Sequence, residues 1–188
     1  FFAAGLGMQP LAVGLFMGTA LLAGLGMQWP IGWLSDRIDR RLVMAGICLA
    51  AAAAAAALFV AGTTAMTFLP LMGVLYGGFA FPLYAQAVAH ANDYAEPGEF
   101  PSISAGLLLA NGVGAALAPL VAGIVMANFG LPSLFVVSGG VMIALGTFAM
   151  YRRQVRASLP VEQQTPFAFV PATTPVSTNL DTRGADEA

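Results

Sequence analysis

Apolar residues run through most of this chain in long stretches, and polar residues gather in a few short breaks between them. Five stretches reach or approach the roughly 20 residues that a helix needs to cross a bilayer. They are Leu11–Leu34, Leu42–Gly62, Met66–Ala89, Ser104–Ala127 and Leu134–Tyr151. None alternates apolar and polar residues in the way a membrane barrel strand does, so each is expected to satisfy its own backbone as a helix. The pattern predicts an all-α, polytopic helical membrane protein with five transmembrane helices. Two of the breaks, 61–65 and 128–132, are short and uncharged. Another, Ser35-Asp36-Arg37-Ile38-Asp39-Arg40-Arg41, is densely charged. The break at 91–101 is longer and holds Asp93, Glu96, Pro97, Gly98 and Glu99, a mixture that stops helices and makes turns.

Composition sharpens this reading. The 188 residues are 59% hydrophobic and 9% charged, with a mean hydropathy of +0.81. A soluble domain carries roughly 25% charged residues, so this chain has too few to cover a surface facing water. The net charge of −2 points to no particular partner. All seven cations are arginine: Arg37, Arg40 and Arg41 follow the first span, and Arg152, Arg153, Arg156 and Arg183 follow the fifth. Spans one and five therefore end on the same side, which the positive-inside rule makes cytoplasmic. Five spans then put Phe1 outside and Ala188 inside, in a multi-pass protein of the cytoplasmic (inner) membrane.

Three regions are expected. Residues 1–10 carry neither an initiating Met nor the basic start of a signal segment. They read as the end of a preceding helix and an outer loop, so the chain is expected to be a fragment. Residues 11–156 form the five-helix transmembrane region. Residues 157–188, rich in Pro, Thr and acids without a sustained apolar face, read as a disordered cytoplasmic tail.

Catalytic chemistry is not expected. One histidine, one cysteine and nine acids form no metal-ligand spacing and no nucleophile arrangement, so the reading includes no enzyme, no metal and no cofactor. Cys48 lies inside the second span, without a second cysteine to pair with. There is no basic stripe for nucleic acid.

The segment Gly32-Trp33-Leu34-Ser35-Asp36-Arg37-Ile38-Asp39-Arg40-Arg41 resembles the loop signature of the major facilitator superfamily, G-x-L-a-D-r-x-G-r-r. That resemblance implies a twelve-helix transporter built from two six-helix halves. It makes Gly32, Asp36, Arg37, Arg40 and Arg41 a conformational-switch loop, in which Asp36 favours a helix N-terminus and would cap a helix of the missing half. Asp39 departs from the pattern by standing where the stronger copy has glycine, which suits the looser copy between helices 8 and 9. The five spans would then be helices 8 to 12. Gly26-Met27-Gln28-Trp29-Pro30-Ile31-Gly32, Phe81-Pro82-Leu83-Tyr84 and His90-Ala91-Asn92-Asp93 are similar to the YcaD-like branch of that family.

Two spans carry further candidates. Gly77, Gly78 and Pro82 interrupt the third, and broken hydrophobic segments are a sequence pointer to a transport site. Tyr76, Phe79, Gln86 and His90 fall on one side of an unbroken helix, and the resemblance implies that this helix lines the central cavity. The alternative for His90 is an interaction with the helix C-terminus alone. In the fourth span Ala110, Gly114, Ala118 and Ala122 recur every four residues, as in close helix packing. Gly114, Ala118-Pro119 and Ala122-Gly123 resemble a family motif of helix 5. The alanine run Ala50–Ala57 offers almost nothing polar and is expected to face lipid or a neighbouring helix.

The expected function is secondary active transport of a small-molecule solute by alternating access, completed by a missing N-terminal half of the same protein within the lipid bilayer. The alternative is a membrane sensor or assembly subunit that signals through its cytoplasmic tail.

Overall fold

A computed structural model of the chain describes residues 2–64, 66–95 and 99–155. The expected tail, 157–188, and Glu96, Pro97 and Gly98 of the longer break lie outside the described residues. Within them every regular element is a helix: α1 (Phe2–Gly5), α2 (Pro10–Ser35), α3 (Arg40–Thr64), a 3-10 turn at Met66–Phe68, α4 (Leu69–Ala80), α5 (Pro82–Asn92), α6 (Phe100–Phe129) and α7 (Ser133–Val155). Five helical segments are long and apolar enough to cross a membrane, with α4 and α5 together making the third, Leu69–Asn92. Five spans were expected, and the chain forms them.

The boundaries follow local chemistry. Pro10 opens α2 and Pro82 opens α5, positions where a missing N–H costs nothing. Asp39 precedes α3, and its Oδ1 accepts the backbone N–H of Arg41 at 3.0 Å, capping that helix. Gly130 ends α6 at φ +87, a conformation side chains oppose, with its N–H bonded to the Met126 carbonyl. The third span breaks at Phe81, because proline at 82 has no N–H for the ladder and its ring crowds the carbonyl four residues back.

The bundle is built on α3 and α4, with α3 lying along α7 and α4 lying along both α2 and α3. Small residues make these approaches close. Cys48, Ala51, Ala55 and Leu58 recur at helical spacing and are fully buried. A Cβ placed on Gly146 of α7 would stand 3.2 Å from the Cys48 Cβ, and one on Gly139 would stand 3.5 Å from that of Ala55. The alanine run therefore has protein neighbours, α7 above all. On the other side of α4, a Cβ at Gly77 would strike the Ala20 carbonyl of α2, and one at Gly73 would strike the Phe16 ring. Leu58, Leu69 and Phe135 form one apolar cluster with Phe2, and Ile31, Val43 and Ile47 form another. Helix α6 differs from the rest: Ser104 alone among its described residues is buried.

Candidate functional site

The charged break folds into a clasp that ties three helices together at one end of the bundle. Arg40, only 1% exposed, places its Nε 3.2 Å from Oδ2 of Asp93, which follows α5 and is also buried. Its Nη2 lies 3.4 Å from Oδ1 of Asp36. Arg41 donates to the Tyr94 hydroxyl at 2.6 Å and to the Arg152 carbonyl at 3.1 Å, reaching from α3 to both α5 and α7. Arg153 completes the clasp by donating to Asp39 at 3.0 Å. A buried guanidinium and carboxylate are stable only as a close pair, because each alone carries a large desolvation cost. Arg37 stands apart and lies over the exposed Trp33 ring at 3.7 Å, donating to the Trp33 carbonyl.

Asp36 sits at the C-terminal end of α2, and the residue at a helix N-terminus within this chain is Asp39. The departure from the signature thus has its own work, capping α3 and holding Arg153. Asp93 and Ser35 entered the sequence reading only as members of longer segments, without a role, and Tyr94 did not enter it. Asp39 was legible as a capping type directly before an apolar-periodic helix, whereas the partners Asp93 and Tyr94 are more than fifty positions away in the chain.

A cavity of about 610 Å³ opens between α3, α5 and α7 beside the clasp. Its walls repeat at helical spacing: Met44 and Cys48 on α3, Leu83 and Ala87 on α5, Leu145 and Phe148 on α7. Its polar groups are Arg41, Tyr84, His90 and Arg152, and no Asp or Glu lines it among the described residues. Arg41 begins α3, His90 ends α5 and Arg152 ends α7, so these three share the end of the cavity nearest the clasp. Among the described residues no group of three or more His, Cys, Asp or Glu could hold a metal ion.

The four candidates of the third span do not meet in this cavity. His90 lines it and sets its ring edge-on to Tyr94, with centroids 5.3 Å apart. Gln86 is wholly buried and accepts a 2.8 Å hydrogen bond from Ser35 of α2. Phe79 packs against the Ile31, Val43 and Ile47 cluster. Tyr76 shares a hydrogen bond with Ser138 of α7 and stands edge-on to Phe135. The break at Phe81 and Pro82 divides the span, so an unbroken wheel places these residues together more closely than the chain does.

In the fourth span Ala110, Gly114 and Ala118 are exposed and Ala122 is half-buried. Nothing described lies within 4 Å of a Cβ built on Gly114. The small-residue row has no helix of the described residues against it at that point.

Comparison with known proteins adds the family context. The profile of the Major Facilitator Superfamily matches residues 1–180. The chain is 30% identical over 135 residues to an MFS-type transporter of Enterobacter sp., a match covering 72% of this chain and 34% of the relative. The same identity and coverage hold for the MFS-type transporters named YcaD of Salmonella paratyphi B and Salmonella newport. The matched stretch thus spans about a third of the length of these relatives. No solved structure matches the chain.

Proposed function

The chain belongs to the major facilitator superfamily, and we propose that it works as part of a secondary active transporter moving a small solute by alternating access. It is a multi-pass membrane protein with five spanning helices. The observation that carries the transport reading is the match of this five-span chain to the family profile; the cavity between α3, α5 and α7, mostly apolar and with Arg41, His90 and Arg152 at one end, lies within this half. Large exposed apolar side chains such as Leu11, Leu22, Ile124 and Phe129 suit contact with lipid or with further helices.

In this proposal the arginine-rich end faces the cytoplasm of an inner membrane, following the distribution of cations. The relatives are about three times as long as the matched stretch, which supports a second half packing beside α2 and α6 and rocking against them. The clasp holds the cytoplasmic ends of α3, α5 and α7 as one body, so that motion takes place between halves rather than within this one. Asp36, only half-buried at the surface of the clasp, remains the residue offered to a helix of the other half.

The test is uptake by the intact polypeptide in proteoliposomes, comparing wild type with Asp36→Asn. Transport should fall while membrane insertion is retained, and uptake equal to wild type would count against the switch role. Failure to move any solute, with signalling lost on deletion of residues 157–188, would favour the sensor reading instead.

A further inference from the structure

We propose that the groove between α3, α4–α5 and α7, of which the cavity is the open part nearest the clasp, is filled in the intact polypeptide by one further transmembrane helix, the stretch of chain that leads into α1. The inference rests on the family membership and is independent of whether the protein transports.

Protein already covers the far end of this groove. Phe2 of α1 is buried with Leu58 of α3, Leu69 of α4 and Phe135 of α7, its ring centroid 4.7 Å from that of Phe135. The same walls, with α5 continuing α4, line the cavity at the clasp end through Cys48, Ala87 and Phe148. Between the two levels Tyr76 and Ser138, bonded to each other, are only half-buried. From Phe135 to Arg152 on α7, and from Leu58 to Arg41 on α3, the groove runs about 17 residues, or about 26 Å. That is close to the roughly 30 Å of a hydrocarbon core, so one helix continuing α1 fills it. Ala80, Ala87 and Ala149 in the walls admit a close backbone. Leu145 and Phe148, 43% and 60% exposed, would be covered by it.

Helix α6 supplies a second observation. The side of it that meets the bundle is half-buried at Leu107 and Leu108, and again at Ala122, Val125 and Met126. Asn111, Ala115 and Ala118 fall in the same sector at about 100° per residue, yet they are exposed. This continuous helix therefore meets its neighbours α5 and α7 towards its ends and stands off from them in the middle. An asparagine amide at membrane depth needs a hydrogen-bonding partner, which acyl chains do not offer. A protein segment offers one, and the matched stretch covers only 34% of the Enterobacter relative.

The test is photo-crosslinking of the intact polypeptide in nanodiscs, with adducts mapped by mass spectrometry. Phe148 and Leu145 are each replaced by p-benzoylphenylalanine, and Leu49, 55% exposed on α3, serves as the control. Both groove positions should react within the roughly 25 residues that precede α1, with lipid adducts several-fold below those at Leu49. Lipid adducts equal to those at Leu49 would overturn the proposal and open the groove to the bilayer. Adducts elsewhere in the polypeptide, or in a second, isotope-labelled copy, would overturn it as well. So would the lack of any adduct at both groove positions while Leu49 reacts. Uptake, measured separately, decides the transport reading in every case.

Discussion

Helices α3 and α6 are written in nearly the same alphabet, long runs of Ala, Gly and Leu with few polar residues. Their surroundings differ completely. Half of the most apolar stretch of α3 is buried within the bundle, and none of that of α6 is. In α3 the small residues recur on the face that meets Gly139 and Gly146 of α7, and two backbones approach there. In α6 the row Ala110, Gly114 and Ala118 is equally small and stands open. Hydrophobicity decides that both helices lie in the membrane. It does not decide which has a protein neighbour, because lipid tails are as apolar as leucine and small-residue packing pays only when a second helix is there.

The comparison can be broken most severely at the clasp that starts α3. Asp93→Ala removes the buried carboxylate of Arg40 and leaves it only the more exposed Asp36 at 3.4 Å, and the bundle should lose about 3–5 kcal/mol of stability. Denaturant-induced unfolding of the detergent-solubilised protein measures this, and a variant within experimental error of wild type would show that the pair is solvated. Next in size is a matched pair of enlargements. Ala55→Leu, at a fully buried position of α3, should cost about 1–3 kcal/mol through overpacking. Gly114→Leu should leave the unfolding of α2 to α5 and α7 unchanged, since the position is exposed and no described atom outside its own turn lies within 4 Å of a Cβ there. Equal losses at both sites would reveal a neighbour on α6 in the intact protein and make the two helices alike. The smallest effect is expected between α2 and α5. Ser35→Ala removes the buried donor to Gln86, at a cost of about 1 kcal/mol, the net worth of one intramolecular hydrogen bond. The same unfolding measurement applies, and Gln86→Leu in the Ser35→Ala background should recover part of the loss.

The third span shows how far a sequence can be read. Its interruption was visible in Gly77, Gly78 and Pro82, and the helix does break at Phe81. The grouping of Tyr76, Phe79, Gln86 and His90 depended on an unbroken wheel. The chain sends these residues to α7, to the α2–α3 cluster, to Ser35 and to the cavity respectively. Periodicity carries phase only as long as the helix is continuous. The loop signature was legible as residues, but the roles within it were assigned by spatial neighbours: Asp39, the departure from the pattern, caps α3 and binds Arg153.

What the sequence determined alone was the solvent of each segment. Runs of about 20 apolar residues must be helices in a bilayer, and the order of Gly32, Asp36, Arg37, Arg40 and Arg41 pointed to the family that the comparisons support. Tertiary structure decided which helices touch and which side chains meet. Arg40 and Asp93, or Arg41 and Arg152, lie too far apart in the chain for local pattern to relate them. They come together because glycine and alanine let α3 approach α7, and α2 approach α4, within backbone distance, and because charges drawn out of water must find a partner at the point where helices end.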